Sequence, residues 1–564
     1  MRCLTWLTAL AVLVSSLACS ALEPGGRFRS VVWDELPVSK APHRVGLLDS
    51  GWEALALRVH LIRTAERTLD MQTFIWADDE VGRLMVHELV AAARRGVRVR
   101  LLADQMFSTT EPDLVAYVST AHENLLLQHY NPNRKRIAPS ALSMLPELML
   151  RFEDVNQRMH DKVMVVDGRI AIVGGRNLEN AYFDYAEGMN FKDREMVVEG
   201  PVIEDIVTSF ERFWVHVRSI ESADLIDVAR LLRSGRPLPW ETPEQLGITG
   251  LLDELALWSA TGVEVVEDYR KRRMSSVEQV LFSCDQPGKP WLREGEDGAP
   301  RELLRVLGGL VRGARESVLV QSPYLVLGQR GARLFEDMRA DEPELVVRVS
   351  TNSLAATDSW PTYAMSYRQK RLMIETLGFQ IHEYKPYPGD LQAAFSGHQR
   401  AGDPEAEPRY CLHSKSLVLD GQIAAVGSFN LDPRSSDFNT EVMLLVRDER
   451  FAEELTRSIE TDIHPRNSWT VWKREHPLIQ EQMVDLLDFF SRAIASVTTL
   501  DPWPSQYASA FEMRGDCEPL EPTDPRFYDC YLPIGNFPGV SPKEEKLLYT
   551  LLFKTFATST NWLL

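Results

Sequence analysis

The chain has 564 residues, long for one domain and comfortable for two or three, with the ordinary globular content of 44% hydrophobic and 25% charged residues. A formal charge of −19, from 81 acidic against 62 basic residues, argues against a general nucleic-acid coater, whose affinity rests on neutralising phosphate. No internal stretch reaches the roughly 18 apolar residues that a spanning helix needs.

The chain opens on the layout of an export signal: Arg2 precedes an apolar run over 4–17, followed by small residues at Ala18, Cys19 and Ala21. Leu17-Ala18-Cys19 resembles the end of a lipoprotein signal, making Cys19 the candidate lipidation site, although Ser16 stands where such boxes usually carry Leu. Simple cleavage after Ala21 is the alternative. A helix is expected over 52–66, a strand over 67–76, a helix over 82–95 and a strand over 97–103. The apolar stretch at 141–150, ALSMLPELML, is a candidate lipid entrance. A connector follows around GRPLPWETPEQLG. The same order of elements then returns: a helix over 302–315, a strand over 317–326, a helix around 330–339 and a strand over 345–350. After about Asp501 the texture becomes Pro-rich and ends in LLYTLLFKTFATSTNWLL, expected to pack on a domain or lie on lipid. The chain thus divides into a signal at 1–21, a first half at 22–233, a connector region at 234–300, a second half at 301–500 and an extension at 501–564. Strand, helix, strand in each half predicts an α/β fold with parallel strands covered by helices.

None of the six cysteines forms a CxxC pair, and no His/Cys/carboxylate group shows metal-ligand spacing, so neither metal nor cofactor is expected. Export would permit a disulfide between Cys517 and Cys530, but spacing alone does not show that they meet.

The strongest signal is internal repetition. Residues 160–177 read HDKVMVVDGRIAIVGGRN and residues 413–430 read HSKSLVLDGQIAAVGSFN, identical at ten of eighteen positions. Composition alone gives about one or two. Strand alternation puts His160 and Lys162 on one face, and His413 and Lys415 likewise. Asp167-Gly168 and Asp420-Gly421 are tight-hairpin signals, so the two aspartates, although part of the repeated set, are placed to stabilise turns. The glycine after each returning strand lets backbone approach a ligand; Gly175, Ser428, Asn177 and Asn430 are candidate phosphate contacts. One histidine on a strand is more often structural than catalytic. A His/Lys pair occurring twice with matching Asp, Gly and Asn reverses those odds.

The doubled pattern HxKxxxxDxxxxxxG(G/S)xN is similar to the phospholipase D signature, and within that superfamily the chain resembles bacterial cardiolipin synthases of the C type. RMHDKVMVVDGRIAIVGGRNLENAYF and TNSLAATD carry the second likeness. The resemblance implies two tandem phospholipase D-like α-β-α sandwich domains related by pseudo-twofold symmetry, an internal pseudo-dimer within a monomer. It also implies catalysis by His160, Lys162, Asp167, His413, Lys415 and Asp420, with His160 the nucleophile and His413 the general acid. An acidic residue downstream fixes each histidine's tautomer in that family, and Glu195 and Glu441 stand at suitable places. The implied partners are phospholipids and a membrane surface, not nucleic acid, in a bacterial cell envelope outside the cytoplasm. Cardiolipin synthesis, phospholipase D hydrolysis to phosphatidic acid and a nuclease activity all fit the motif, in that order of preference.

Overall fold

The computed structural model describes residues 27–550 apart from 141–143, 145, 147–149, 239, 257–268, 292–300, 390–407, 476–507, 542–543 and 548. The expected signal with Cys19, most of 141–150 and the end of the tail lie outside the described residues. Among the described residues no helix is long and apolar enough to cross a membrane.

The first half contains β1 (Ser39–Leu48), β2 (Thr68–Thr73), β3 (Arg98–Asp104), β4 (Leu125–Tyr130), β5 (Val163–Val166), β6 (Ile170–Gly174), β7 (Met189–Lys192), β8 (Glu195–Glu199) and β9 (Ser219–Glu221). The second contains β10 (Ser275–Cys284), β11 (Ser317–Gln321), β12 (Val346–Asn352), β13 (Phe379–Tyr384), β14 (Arg409–Leu412), β15 (Ser416–Leu419), β16 (Ile423–Gly427), β17 (Val442–Arg447) and β18 (Ser468–Lys473). The extension adds β19 (Ala508–Met513) and β20 (Tyr531–Gly535).

Hydrogen bonding orders the first half as β9-β4-β3-β2-β5-β6-β8-β1. The second half runs β10-β17-β16-β15-β11-β12-β13-β18, its mirror in sequence order. Within each half the three strands β2-β3-β4 and β11-β12-β13 are parallel, as the strand–helix–strand order predicts, and the other pairings are antiparallel. β1 and β10 pair antiparallel and fuse the halves into one 18-stranded sheet. β10 lies inside the stretch expected to be a connector. It has no partner in its own neighbourhood along the chain; β1 and β17 give it a register.

Helices Gly51–Thr64 and Glu80–Arg94 start where Ser50 and Asp79 accept hydrogen bonds from the backbone N–H of Glu53 and Gly82. Each half has its own core, around Trp52, Leu84 and Val99 in the first and Leu303, Phe335 and Val347 in the second. A third core joins the halves, with Val45, Val165 and Ile206 packed in one cluster with Phe282, Leu444 and Leu455. Period-two alternation separates these layers: Met164 and Val166 of β5 face the first core, Val163 and Val165 the shared one. The site therefore sits beside an apolar joint between the two halves.

Candidate active site

Two parallel contacts between the halves place the histidines. β7 pairs with β14 in parallel, Lys192 opposite Leu412, so the next residues along, Asp193 and His413, come side by side. An isolated parallel bridge between Met159 and Thr440 does the same for His160 and Glu441. The N–H of His413 donates to the carbonyl of Lys192 at 2.7 Å, and that of His160 to the carbonyl of Thr440 at 3.0 Å. Asp193 Oδ2 then lies 2.5 Å from His413 Nδ1, and Glu441 Oε2 lies 2.8 Å from His160 Nδ1. Each carboxylate belongs to the half opposite its histidine. With Nδ1 held, Nε2 is the nitrogen available for chemistry. β5 and β15 begin only at Val163 and Ser416, so His160, Lys162, His413 and Lys415 precede the strands.

Glu195, expected to orient a histidine, does not. Its carboxylate accepts from Arg58 at 2.5 and 2.9 Å and from Arg176 at 3.3 Å, buried away from both imidazoles. The sheet register explains the displacement: Gly174 stands opposite Glu195, whereas Gly427 stands opposite Met443. Glu441, two residues before Met443, therefore corresponds to Asp193, which sequence reasoning missed by matching glutamate to glutamate. Counting back from the paired strands was the available signal. The adjacent Arg194 is fully buried and crosses between halves, donating to Asp49, Gln321 and Ser458, each at 2.5 Å.

Gly175 and Ser428, expected to contact phosphate, and Asp167 and Asp420, which the resemblance makes catalytic, make other contacts here. Gly175 is where the orienting acid fits: a Cβ there would stand 2.3 Å from Asp193 Oδ1. Ser428, at the equivalent position, donates through its hydroxyl to Glu441 at 2.5 Å, so this pair supports the acids rather than a ligand. Asp167 and Asp420 sit at φ 54 and 49 in their hairpins. Asp167 accepts from the backbone N–H groups of Glu66, Arg67 and Thr68; Asp420 accepts from those of Arg315, Glu316 and Ser317. Both clamp the hairpin to the start of the neighbouring strand, as the turn signal suggested. Asn177 and Asn430 are buried, Asn177 accepting from Ile75 N at 3.1 Å, while Asn430 Oδ1 has no partner among the described residues.

Lys162 Nζ donates to the carbonyl of His160 at 2.6 Å and lies 5.0 Å over the Phe74 ring. Lys415 Nζ lies 2.8 and 3.1 Å from the ring nitrogens of His413. Phe74 meets His160 edge-on at 4.7 Å; Tyr182 does the same to His413 at 5.0 Å, its hydroxyl 3.4 Å from Nε2. A cleft beside His413 is lined by Glu179, Asn180, Tyr182, Met189, Phe191 and Asp358.

The two pairs differ electrostatically. Burial, then Lys162 and Lys415, hold the His160 imidazole well below its usual range. Burial raises its partner Glu441 to about 7 and brings Lys162 down to about 7. Burial also pushes the Asp193 carboxyl up, but Lys415 and His413 outweigh it and the group stays below the ordinary carboxylate range. His413 is lowered by burial and Lys415, with Asp193 pulling the other way. One histidine thus faces a carboxyl that burial drives toward neutrality, the other an ionised carboxylate.

Two fused halves with one His/Lys pair each, meeting at a shared joint, define a phospholipase D-type enzyme. A family model described as "Cardiolipin synthase, PLD-like domain" matches residues 59–214 and 309–463, and the chain belongs to that family. Cardiolipin synthase C of Escherichia coli K12 is 31% identical over 432 residues, covering 74% of this chain and 84% of the relative. An uncharacterised Helicobacter pylori 26695 protein is 28% identical over 436 residues, covering 77% and 82%. The crystal structure of phosphatidylserine synthase from Haemophilus influenzae Rd KW20 shares the fold, with a TM-score of 0.50 at 15% identity, covering 84% of this chain and 96% of that one.

Proposed function

We propose that the protein is a phosphatidyl transferase that makes cardiolipin through a phosphohistidine. The observation that carries the mechanism is the crossed pairing of each imidazole Nδ1 with a carboxylate of the opposite half. It leaves two Nε2 atoms to act on one phosphorus. His160 Nε2 attacks phosphorus, the P–N bond forms, and the bond to the leaving headgroup oxygen breaks as His413 donates its proton to that oxygen. In the second step an acceptor hydroxyl gives its proton to His413 while its oxygen displaces His160.

The electrostatics support this division. A nucleophile must be neutral, and burial with two nearby lysines keeps His160 so. A general acid must carry a proton; burial and Lys415 lower His413 as well, but the ionised Asp193 pulls the other way and favours imidazolium there, a support that His160 lacks in its raised partner Glu441. Lys162, Lys415 and the amides of Asn177 and Asn430 are the groups proposed to hold the non-bridging oxygens as charge builds. Cardiolipin as product rests on the resemblance to synthases of the C type. The substrates are then phospholipids at a membrane surface, with the chain anchored through Cys19 on the outer side of the cytoplasmic boundary and active as a monomer. Purified enzyme in mixed phosphatidylglycerol and phosphatidylethanolamine vesicles is expected to yield mainly cardiolipin with minor phosphatidic acid, resolved by mass. Mainly phosphatidic acid would make the protein a hydrolase.

A further inference from the structure

The matched family region ends at residue 463, and β19 and β20 lie beyond it, the segment between them closed by the Cys517–Cys530 disulfide. β19 extends the sheet at β18 and β20 pairs with β19, after which the chain turns back over the second half. Phe537 packs 4.8 Å from Tyr367 and 6.3 Å from Tyr363. Val540 packs in one cluster with Leu354, Tyr363 and Tyr367 and in another with Ala355 and Trp469. Gly539, at φ 74, is so close that an added Cβ would stand 3.2 Å from both Ala355 and Trp469. Lys546 Nζ donates to the carbonyl of Ala355 at 3.4 Å. The seat itself is tied down: Glu383, in a buried ion pair with Lys370 at 2.6 Å, accepts from the Tyr363 hydroxyl at 3.1 Å, and Lys370 donates to the same hydroxyl oxygen at 3.1 Å.

The residues so covered run straight into the site. The Asn352 side chain accepts from the N–H of Leu412 at 2.8 Å and donates to its carbonyl at 2.7 Å, fixing the residue just before His413. Arg409, at the start of β14, donates to the carbonyl of Ala355 at 3.3 Å. Asp358 accepts from the Tyr324 hydroxyl at 2.9 Å and borders the cleft beside His413.

We propose that the C-terminal extension is a brace for the acceptor side of the site: Phe537 and Val540 hold residues 354–367, which continue the chain from Asn352, meet β14 at Arg409 and carry the Asp358 edge of the cleft. The consequence is for partitioning. In the second step the P–N bond breaks and a P–O bond forms with either an alcohol or water, the proton passing to His413 in both cases. An alcohol competes with water only if it is oriented, and a displacement of ~1 Å costs an oriented reactant up to ~100-fold while a small, abundant one loses little. Loosening the brace therefore lowers transfer more than hydrolysis. The inference rests on the phosphohistidine chemistry proposed above, not on which lipid is the acceptor.

The test uses the full chain in detergent micelles with labelled phosphatidylglycerol and 1-butanol, measuring phosphatidylbutanol against phosphatidic acid. That ratio is set by active molecules alone, so partial unfolding does not move it. Phe537→Ala and Val540→Ala are expected to lower the ratio at least threefold, Phe537→Leu to restore most of it, and Leu532→Ala, on the exposed side of β20, to leave it unchanged. An unchanged ratio in both alanine variants overturns the brace, even if total activity falls. If wild type leaves the phospholipid untouched, the lipid assignment fails instead. The brace is then read on bis(p-nitrophenyl) phosphate with 1-butanol as the competing acceptor, where Phe537→Ala must lower the ratio of butyl p-nitrophenyl phosphate to p-nitrophenyl phosphate or the proposal falls.

Discussion

Replacing Asp193 by Asn separates the crossed pairing from the alternative in which Glu195 orients a histidine. The Asp193–His413 contact, 2.5 Å long and fully buried, is a charge-assisted hydrogen bond. Such bonds are worth about 1.5–3 kcal/mol. At about 1.4 kcal/mol per factor of ten, this favours imidazolium at His413 roughly 10- to 100-fold. The sign follows: Asp193 raises the His413 pKa against the lowering by burial and Lys415, so an amide there lowers it further. A general acid is lost as pH rises through its pKa, so the alkaline limb of kcat/KM should move to lower pH, with turnover near neutrality falling roughly 10- to 100-fold. Glu195→Gln should act differently. It leaves Arg58 and Arg176 without their buried counter-charge, a loss of about 3–5 kcal/mol when a buried pair is broken. The carbonyl partners that both arginines keep place the cost at the low end of that range. The assay is a pH–rate profile on each variant beside a thermal melt. If Asp193→Asn destabilises the fold without moving the limb, or if Glu195→Gln moves the limb, the crossed pairing is refuted.

His160→Ala and His413→Ala should each lower turnover by at least ~10²–10⁴-fold with an unchanged melting midpoint, and rapid quench with phosphate-labelled phospholipid should place label on His160 in the wild type. Dialysis against a strong chelator should change the rate by less than about twofold, because Lys162 and Lys415, beside the two imidazoles, are the groups proposed to hold the phosphate oxygens; a stoichiometric metal whose removal abolishes activity would contradict this. Asp167→Ala should destabilise the fold by roughly 1–3 kcal/mol through loss of the hairpin clamp while kcat per folded molecule stays the same, measured by melting and titrated active sites. Mass spectrometry of the N-terminal peptide should show a diacylglycerol-modified Cys19; a peptide starting at Leu22 indicates simple secretion, and an intact Met1 in cytosol contradicts export.

The sequence by itself determined whatever depends on neighbours along the chain. The Asp-Gly dipeptides specify both hairpins because a two-residue turn with positive φ is a local demand, met at Asp167-Gly168 and Asp420-Gly421. The spacing of His160 to Lys162 and of His413 to Lys415, the strand–helix–strand order of each half and the duplication were legible for the same reason. Tertiary structure decided which acid serves which histidine. Those contacts join residues 281 and 220 positions apart, and their register is set by two parallel bridges that exist only once the halves dock. It likewise decided that β10 completes the sheet from within the apparent connector, that Cys517 and Cys530 are bonded, and that Glu195 is a buried counter-ion for two arginines. A buried carboxylate looks the same in sequence whether it faces imidazole or guanidinium; only the packing of the opposite half supplies the partner that gives it a role.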